Sequence, residues 1–237
     1  MSRRLRYQVA VSLDGFIAGP NGEYDWIVMD PSIDFAALFK EFDTAVMGRK
    51  TYEVLTAQGG HGAMPGLDVV VFSRTLPAAA HHGVRISNDD PREIVAALKA
   101  KPGRDIWLYG GGVLFRSLLD AGLVDTVEVA VVPVLLGAGV PLLPPGAATK
   151  LTLSDQKTLP VSGIVALAYS VPGAVGLAPQ IRYIKPTKKR MKKGKRAGTK
   201  VLGRKTAKKQ PRSAKKKSVR SQAGAQETRR AVRSSRA

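Results

Sequence analysis

The chain has 237 residues, enough for one or two domains, and its net charge of +20 at pH 7 is unevenly distributed. Residues 1–179 carry 15 Lys and Arg against 17 Asp and Glu, whereas residues 180–237 carry 23 against one. The lack of cysteine excludes disulfides, thiolate zinc sites and cysteine nucleophiles, and it fits the reducing cytoplasm in which we expect the protein.

Predicted strands and helices alternate along the first half of the chain. Apolar runs predict strands at 5–13, 44–48 and 67–73. Apolar residues at helical spacing predict helices at 35–42 and 49–57. The segment 14–26 is rich in Gly and Pro and is predicted to be a loop. All apolar runs have only strand length, so no transmembrane helix is expected.

The same alternation continues to residue 171. Helices are predicted at 91–101, with Asp89 or Asp90 as the cap, and at 113–122. Strands are predicted at 105–109 and 124–136, the latter interrupted by Pro133, and the segments 150–159 and 162–171 resemble an antiparallel hairpin. The pattern predicts an α/β fold with a mixed, mostly parallel sheet, helices on both faces and an antiparallel C-terminal hairpin.

The domain organisation follows the change in composition. Residues 1–173 are predicted to form one domain, residues 174–184 a linker, and residues 185–237 a Lys- and Arg-rich tail that is disordered, because it cannot bury enough apolar surface. The tail's charge favours nonspecific binding of nucleic acid or another polyanion. A solvated appendage, contact with an anionic membrane surface and extended or out-of-frame coding sequence are the alternatives.

Four predicted strand ends carry residues suited to a nucleotide. Three consecutive glycines, 110–112, follow the strand at 105–109 and would let backbone approach a phosphate at a helix start. A turn packed against a neighbouring strand is the alternative for these glycines. Cationic and hydroxyl side chains follow two other strands, and the loop at 14–26 is a candidate lid. The dinucleotide-binding motif GxGxxG does not match here, because a motif that starts at Gly110 needs glycine at position 115, which is Phe115.

Four segments in this order carry a resemblance: VAVSLDGFIAG, VMGRKTYE, VFSRTL and LYGGGVLFRSLLDAGLVDTVEVAVVPVLLGAG. Across 1–171 they resemble the dihydrofolate-reductase-like superfamily, in the branch that contains the reductase domain of the riboflavin-biosynthesis deaminase–reductase. The resemblance implies an NADPH-dependent oxidoreductase that transfers a hydride to a C=N or C=O bond of a pterin- or pyrimidine-like substrate. Examples are dihydrofolate and 5-amino-6-(5-phosphoribosylamino)uracil. A nucleic-acid-associated protein with a catalytically idle domain is the alternative function.

The resemblance also assigns residues to the cofactor. Nicotinamide would lie against Ala10, Ile17 and Gly19, the phosphates against Gly48, Arg49, Lys50 and Thr51, the adenosine 2′-phosphate against Ser73 and Arg74, and the pyrophosphate and nicotinamide side against Gly110, Gly111, Gly112, Val113 and Leu114. Asp34 is the candidate catalytic carboxylate, with Asp30 as the fallback. A helix-start residue stabilised by the helix dipole is the alternative for Asp34.

The chain also departs from the resembled branch. Without cysteine it cannot form the deaminase zinc site. FKEFD and EVLTAQGGHGAMPG lack the Arg and the D-x-P-x-L-x-x-R stretch that usually serve the substrate phosphate, and Phe115 stands where many dihydrofolate reductases have Tyr. His61, His81 and His82 lie in loop-like segments and predict no metal site. The strand VEVAVVPVLL is a candidate edge of a homodimer.

Overall fold

A computed structural model describes residues 3–57, 59, 61–77 and 83–173. The elements in chain order are β1 Leu5–Ser12, β2 Phe16–Ala18, α1 Phe35–Phe39, β3 Phe42–Gly48, α2 Arg49–Ala57, β4 Asp68–Phe72, β5 Val84–Ser87, α3 Pro91–Ala100, β6 Asp105–Gly110, α4 Gly112–Asp120, β7 Thr126–Val132, β8 Val140–Pro141, β9 Thr152–Thr158 and β10 Val165–Ser170. The predictions for the linker at 174–184, the tail at 185–237 and the pair His81–His82 fall outside the described residues.

Eight strands form the central sheet in the order β5-β4-β3-β6-β1-β7-β10-β9. From β5 across to β7 every neighbouring pair is parallel, and β10 is antiparallel to both β7 and β9. This arrangement confirms the predicted mixed sheet and its C-terminal hairpin. Because the parallel strands share one direction, the carboxyl ends of β3, β4 and β6 meet at one edge of the sheet.

Both faces of the sheet are covered by helices, as predicted. Alternate residues of a strand point to opposite faces, and Leu108 and Trp107 of β6 accordingly belong to different apolar clusters. One cluster packs α3 and α4 against the sheet through Val95 and Leu118. The other packs α2 against the opposite face through Tyr52, with Leu38 of α1 beside it.

Several element boundaries differ from the sequence predictions. The helix predicted at 35–42 ends at Phe39, and Phe42 begins β3, where it is fully buried and stacks on Trp107 at 5.4 Å between ring centroids. The strand predicted at 124–136 stops at Val132, since Pro133 has no N–H to donate to a partner. Asp90 caps α3 by accepting from the Arg92 N–H at 2.9 Å, as one of the two predicted alternatives.

Three short strands were not predicted. β2 lies inside the predicted loop 14–26 and pairs with β8, more than 120 residues further along the chain. β5 has only four residues and completes the sheet beside β4. Among the described residues, no helix combines the length and apolar character needed to cross a membrane.

Candidate functional site

A large cavity of about 2230 Å³ extends over the α1 face of the sheet and across the carboxyl ends of β3, β4 and β6. Pockets for drug-sized ligands are typically about 300–1,000 Å³. The cavity therefore has room for a dinucleotide together with a second ligand. Its walls form two regions that differ in chemistry, the strand-end region and the polar wall.

The strand-end region is the first part, formed where β3, β4 and β6 run into the segments that follow them. All of the predicted cofactor residues except Gly19 line the cavity, and most of them lie in this region: Gly48, Arg49, Lys50, Thr51, Ser73, Arg74, Gly110, Gly111, Gly112, Val113 and Leu114. Ala10 and Ile17 line the cavity from β1 and β2. Their assignment to the cofactor stays a prediction.

Gly19 has a different role in the structure. Its N–H donates to the Glu23 carbonyl at 2.8 Å, and the Glu23 carboxylate lies only 2.2 Å from where a Cβ atom of residue 19 would stand. The Glu23 carboxylate in turn accepts hydrogen bonds from the backbone N–H and side-chain amide of Asn21. Gly19 thus closes a local turn between β2 and α1 and is not part of the cavity wall.

The three consecutive glycines lie in two different environments, one beside Thr51 and one beneath the β8 segment. The peptide bond between Gly110 and Gly111 is cis, and Cβ atoms at either residue would lie 3.3 Å from the Thr51 hydroxyl. A Cβ at Gly112 would stand 2.8 Å from the Pro141 carbonyl oxygen, so residue 112 is small because the β8 segment packs on it. The packing alternative therefore holds for Gly112, while Gly110 and Gly111 lie against the start of α2.

Backbone N–H groups are available at the start of α4. Its N-cap is Gly111, which supplies no side-chain hydrogen bond, so the orphan N–H groups of the first turn lack the usual capping acceptor. Gly48 lies at the end of the neighbouring strand β3. A Cβ atom built on Gly48 would have no atom within 4 Å. Uncapped N–H groups beside an open glycine form a surface that suits a phosphate.

Cations and hydroxyls complete the strand-end region. Arg49 donates to Glu53 at 2.7 Å in an exposed ion pair. Lys50 and Arg74 are exposed and have no ion-pair partner among the described residues. The buried Ser73 hydroxyl oxygen accepts from the N–H groups of Thr75 at 3.2 Å and Leu76 at 3.0 Å, which fixes the turn that carries Arg74.

The predicted carboxylates serve the backbone. Asp34 is the N-cap of α1, where it accepts from the Ala37 N–H at 3.0 Å, and it does not line the cavity. This is the helix-start alternative, and a catalytic role for Asp34 stays a prediction. Asp30 is buried and also lies off the cavity wall; it accepts from the Ser32 hydroxyl at 2.6 Å and the Ser162 N–H at 3.0 Å. Burial opposes its ionisation, but these hydrogen bonds prevail and lower the pKa of Asp30 to about 2.

The second part of the cavity, the polar wall, consists of Arg6, Gln8, Glu41, Trp107 and Glu128. Arg6 is 2% exposed and forms a bidentate ion pair with Glu128, with both N···O distances at 2.8 Å. It also donates to Glu41 at 2.5 Å. Burial alone would lower the pKa of the Arg6 guanidinium, but its hydrogen bonds and ion pairs with Glu128 and Glu41 outweigh burial and raise it.

Strand pairing brings Gln8 to the same carboxylate. Gln8 of β1 lies in register with Glu128 of β7, and its Nε2 donates to a Glu128 oxygen at 3.2 Å. The ionised carboxylate only accepts hydrogen bonds, which fixes the orientation of the Gln8 amide. The Gln8 Oε1 atom is buried and has no hydrogen-bond partner among the residues that the structure describes. The Trp107 indole N–H donates to the backbone carbonyl of Gln8 at 3.3 Å, so Trp107 joins the same network.

The polar wall was not predicted, although β1 and β7 carry a signal for it. In RYQVA the polar residues Arg6 and Gln8 alternate with apolar ones, and Glu128 does so in TVEVA. A central strand with polar side chains on one face has to satisfy them beneath a helix or against a cavity. The partners of those side chains depend on strand order, which the sequence did not fix.

The family model described as the RibD C-terminal domain matches residues 3–167. The uncharacterized Bacillus subtilis protein YyaP is 36% identical over 179 residues, which are 70% of this chain and 94% of YyaP.

Two solved structures share the fold. The crystal structure of a putative riboflavin biosynthesis protein from Shewanella sp. PV-4 is 26% identical, with a TM-score of 0.62, and the match covers 72% of this chain and 99% of that one. Dihydrofolate reductase from Enterococcus faecalis, solved with NADP(H), is 20% identical with a TM-score of 0.51, and the match covers 73% and 99%. These matches confirm the predicted dihydrofolate-reductase-like fold.

Proposed function

This chain belongs to the RibD C-terminal domain family, and from that premise we propose that it is an NADPH-dependent reductase. Its substrate would be a pterin- or pyrimidine-like heterocycle that accepts a hydride at a C=N or C=O bond. The observation that carries the proposal is the strand-end region, where an uncapped helix start, an open glycine and two cations without ion-pair partners among the described residues meet along one cavity edge.

The residues of the strand-end region fit a dinucleotide phosphate. The N–H groups of the first turn of α4 would bind the pyrophosphate, because they are unpaired donors at the positive end of a helix. Lys50 and Arg74 would bind the adenosine 2′-phosphate, which distinguishes NADPH from NADH. The open space at Gly48 would let the cofactor lie directly on the backbone of β3.

The sheet residues between the two parts of the cavity would align the reactants. NADPH, when bound, would supply the hydride and become NADP⁺, and water or a carboxylate would supply the proton that completes reduction of the C=N or C=O bond. Ala10 and Ala130 are in register on β1 and β7, and their small side chains leave space above the sheet for a planar ring. Ile17 of β2 also lines the cavity. Holding two planar rings face to face in a fixed geometry is the main contribution that the protein would make to the rate.

Arg74→Ala tests the cofactor assignment. We expect the NADPH dissociation constant to rise about tenfold or more, since a charge-assisted hydrogen bond is worth about 1.5–3 kcal/mol, and the NADH dissociation constant to stay unchanged. Isothermal titration calorimetry measures both. Arg85→Ala is the matched control, because Arg85 is an exposed arginine on β5 outside the cavity wall.

Two results would contradict parts of this proposal. Absence of saturable NADPH binding to the unaltered protein would overturn the reductase assignment. Equal losses for NADPH and NADH in Arg74→Ala would remove Arg74 from recognition of the 2′-phosphate.

Nonspecific polyanion binding by residues 185–237 is a second proposal, which rests on the 23 Lys and Arg of the last quarter of the chain. Counterion release predicts that the affinity of the full chain for duplex DNA falls steeply between two salt concentrations. DNA affinity that is independent of salt would contradict it.

A further inference from the structure

We propose that the polar wall selects an unphosphorylated, planar heterocycle through the ring's N–H groups. It would disfavour a phosphorylated substrate such as 5-amino-6-(5-phosphoribosylamino)uracil. This inference rests on the proposed reductase function and specifies its substrate class.

The only cation of the polar wall is already engaged. Arg6 donates to both oxygens of Glu128, to Glu41 at 2.5 Å and to Asp105 at 3.3 Å. These contacts use most of the five N–H groups of a guanidinium. Arg6 cannot turn toward a substrate phosphate without leaving the buried Glu128 carboxylate uncompensated.

The carboxylates of the wall would repel a phosphate placed beside them. Glu41 and Glu128 both line the cavity and share the single positive charge of Arg6, whereas Asp105 lies off the cavity wall and pairs mainly with Arg4 at 2.5 Å. Like charges in a partly desolvated site interact much more strongly than in water. The cations suited to phosphate, Lys50 and Arg74, lie instead in the strand-end region, where the cofactor phosphates would engage them.

The wall also holds an acceptor without a donor. Gln8 directs its Nε2 to Glu128 at 3.2 Å, which leaves Oε1 as a buried oxygen with no hydrogen-bond partner within the described part of the chain. An unsatisfied buried acceptor is costly, so a ligand donor that reaches it gains more than one that replaces water. A ring N–H of a lactam or amidine group would supply this donor if the ligand displaced the atoms that bury Oε1.

Aromatic side chains next to Gln8 favour a flat ligand. Trp107 and Phe39 both line the cavity, with ring centroids 5.5 Å apart and planes tilted by 49°. Phe39 is 41% exposed although it is a large apolar residue. A heterocycle bound over these rings would cover the exposed face of Phe39 and stack with it.

The test uses two matched probes, 5-amino-6-(ribosylamino)uracil and its 5′-phosphate. Calorimetric titrations of the full-length protein saturated with NADP⁺, in about 0.3 M salt to screen the basic tail, measure both dissociation constants. We expect the unphosphorylated probe to bind at least about tenfold more tightly, which corresponds to about 1.4 kcal/mol.

Two variants test which residues of the polar wall distinguish the two probes. Gln8→Leu should weaken the unphosphorylated probe about tenfold, while Gln156→Leu, the same change on the exposed strand β9, should leave its affinity unaltered. Glu41→Gln removes one negative charge beside Arg6 and should improve binding of the phosphorylated probe, so that the two affinities converge.

The possible failures are distinguishable. Equal or tighter binding of the phosphorylated probe, or binding of neither probe, overturns this inference while NADPH still binds saturably. Unchanged probe affinity in Gln8→Leu also overturns it. If NADPH itself does not bind to the full-length protein, the reductase proposal fails and this inference fails with it.

Discussion

The strand-end region and the polar wall bound the same cavity but are built in opposite ways. The strand-end region uses backbone N–H groups, glycines and exposed cations without ion-pair partners among the described residues. The polar wall uses side chains in the middle of strands, and its one cation, Arg6, is buried beneath carboxylates. A surface of the first kind can bind an anion without reorganising. In a surface of the second kind the charges compensate one another, and a ligand would bind through the one acceptor that the described residues leave unsatisfied, Gln8 Oε1.

This difference implies that the two regions contribute unequally to stability. Exposed ion pairs are worth about 0–1 kcal/mol, whereas breaking a buried pair costs about 3–5 kcal/mol because the remaining charge is left uncompensated. Substitutions in the polar wall should therefore unfold the protein more readily than substitutions in the strand-end region. The following experiments test that contrast.

Glu128→Gln should have the largest effect. It leaves Arg6 buried without its two-pronged partner, and we expect a loss of about 3–5 kcal/mol in the free energy of unfolding, measured by urea denaturation. Glu53→Gln is the matched control, since Glu53 forms an exposed pair with Arg49, and it should cost less than about 1 kcal/mol. Similar losses for the two variants would break the contrast.

Gly112→Ala should have the next largest effect. The new Cβ would meet the Pro141 carbonyl oxygen at 2.8 Å and the Leu142 carbonyl oxygen at 3.2 Å, so we expect destabilisation of about 1–3 kcal/mol by thermal or urea unfolding. Gly48→Ala faces open space and should leave stability within about 0.5 kcal/mol while weakening NADPH binding. Loss of stability in Gly48→Ala without loss of NADPH binding would remove Gly48 from the candidate cofactor surface.

Asp30→Asn should have a smaller and pH-dependent effect. The pKa of Asp30 is lowered to about 2, so its stabilising contribution is complete above the unfolded-state pKa near 4 and disappears as pH falls toward 2. Asparagine keeps one acceptor oxygen, and we expect a cost of about 1–2 kcal/mol at pH 7. The difference between wild type and variant should shrink between pH 4 and pH 2; a constant difference would show that ionisation of Asp30 is not involved.

The same contrast explains which parts of the site were predictable. The residues of the strand-end region come from contiguous segments, such as VMGRKTYE and YGGGVLF. Local strand and helix patterns are enough to predict that each segment lies at the sheet edge. The polar wall combines Arg6 of β1 with Glu128 of β7, and their contact depends on two strands distant in sequence lying side by side. Local patterns do not determine that pairing.

Roles were harder to predict than positions. Asp34 lies at a helix start as expected, but only the contact with the Ala37 N–H shows that its carboxylate serves as the N-cap. Gly112 was expected near a ligand, yet it is constrained by residues of β8 almost 30 positions away. In both cases the sequence located the residue, and the long-range or side-chain contacts that decide its role came from the fold.

The position of Trp107 gives the cavity an optical property. Trp107 contacts Phe39, Phe42 and Tyr109, and it is one of only two tryptophans in the chain. The other, Trp26, lies in the segment between β2 and α1, so a Trp26→Phe variant would emit from Trp107 alone. Indole emission overlaps the absorption band of reduced nicotinamide, and a ring stacked near Phe39 would quench the same fluorophore by contact. One fluorescence signal could therefore follow the filling of both parts of the cavity, by the proposed dinucleotide and by the proposed substrate.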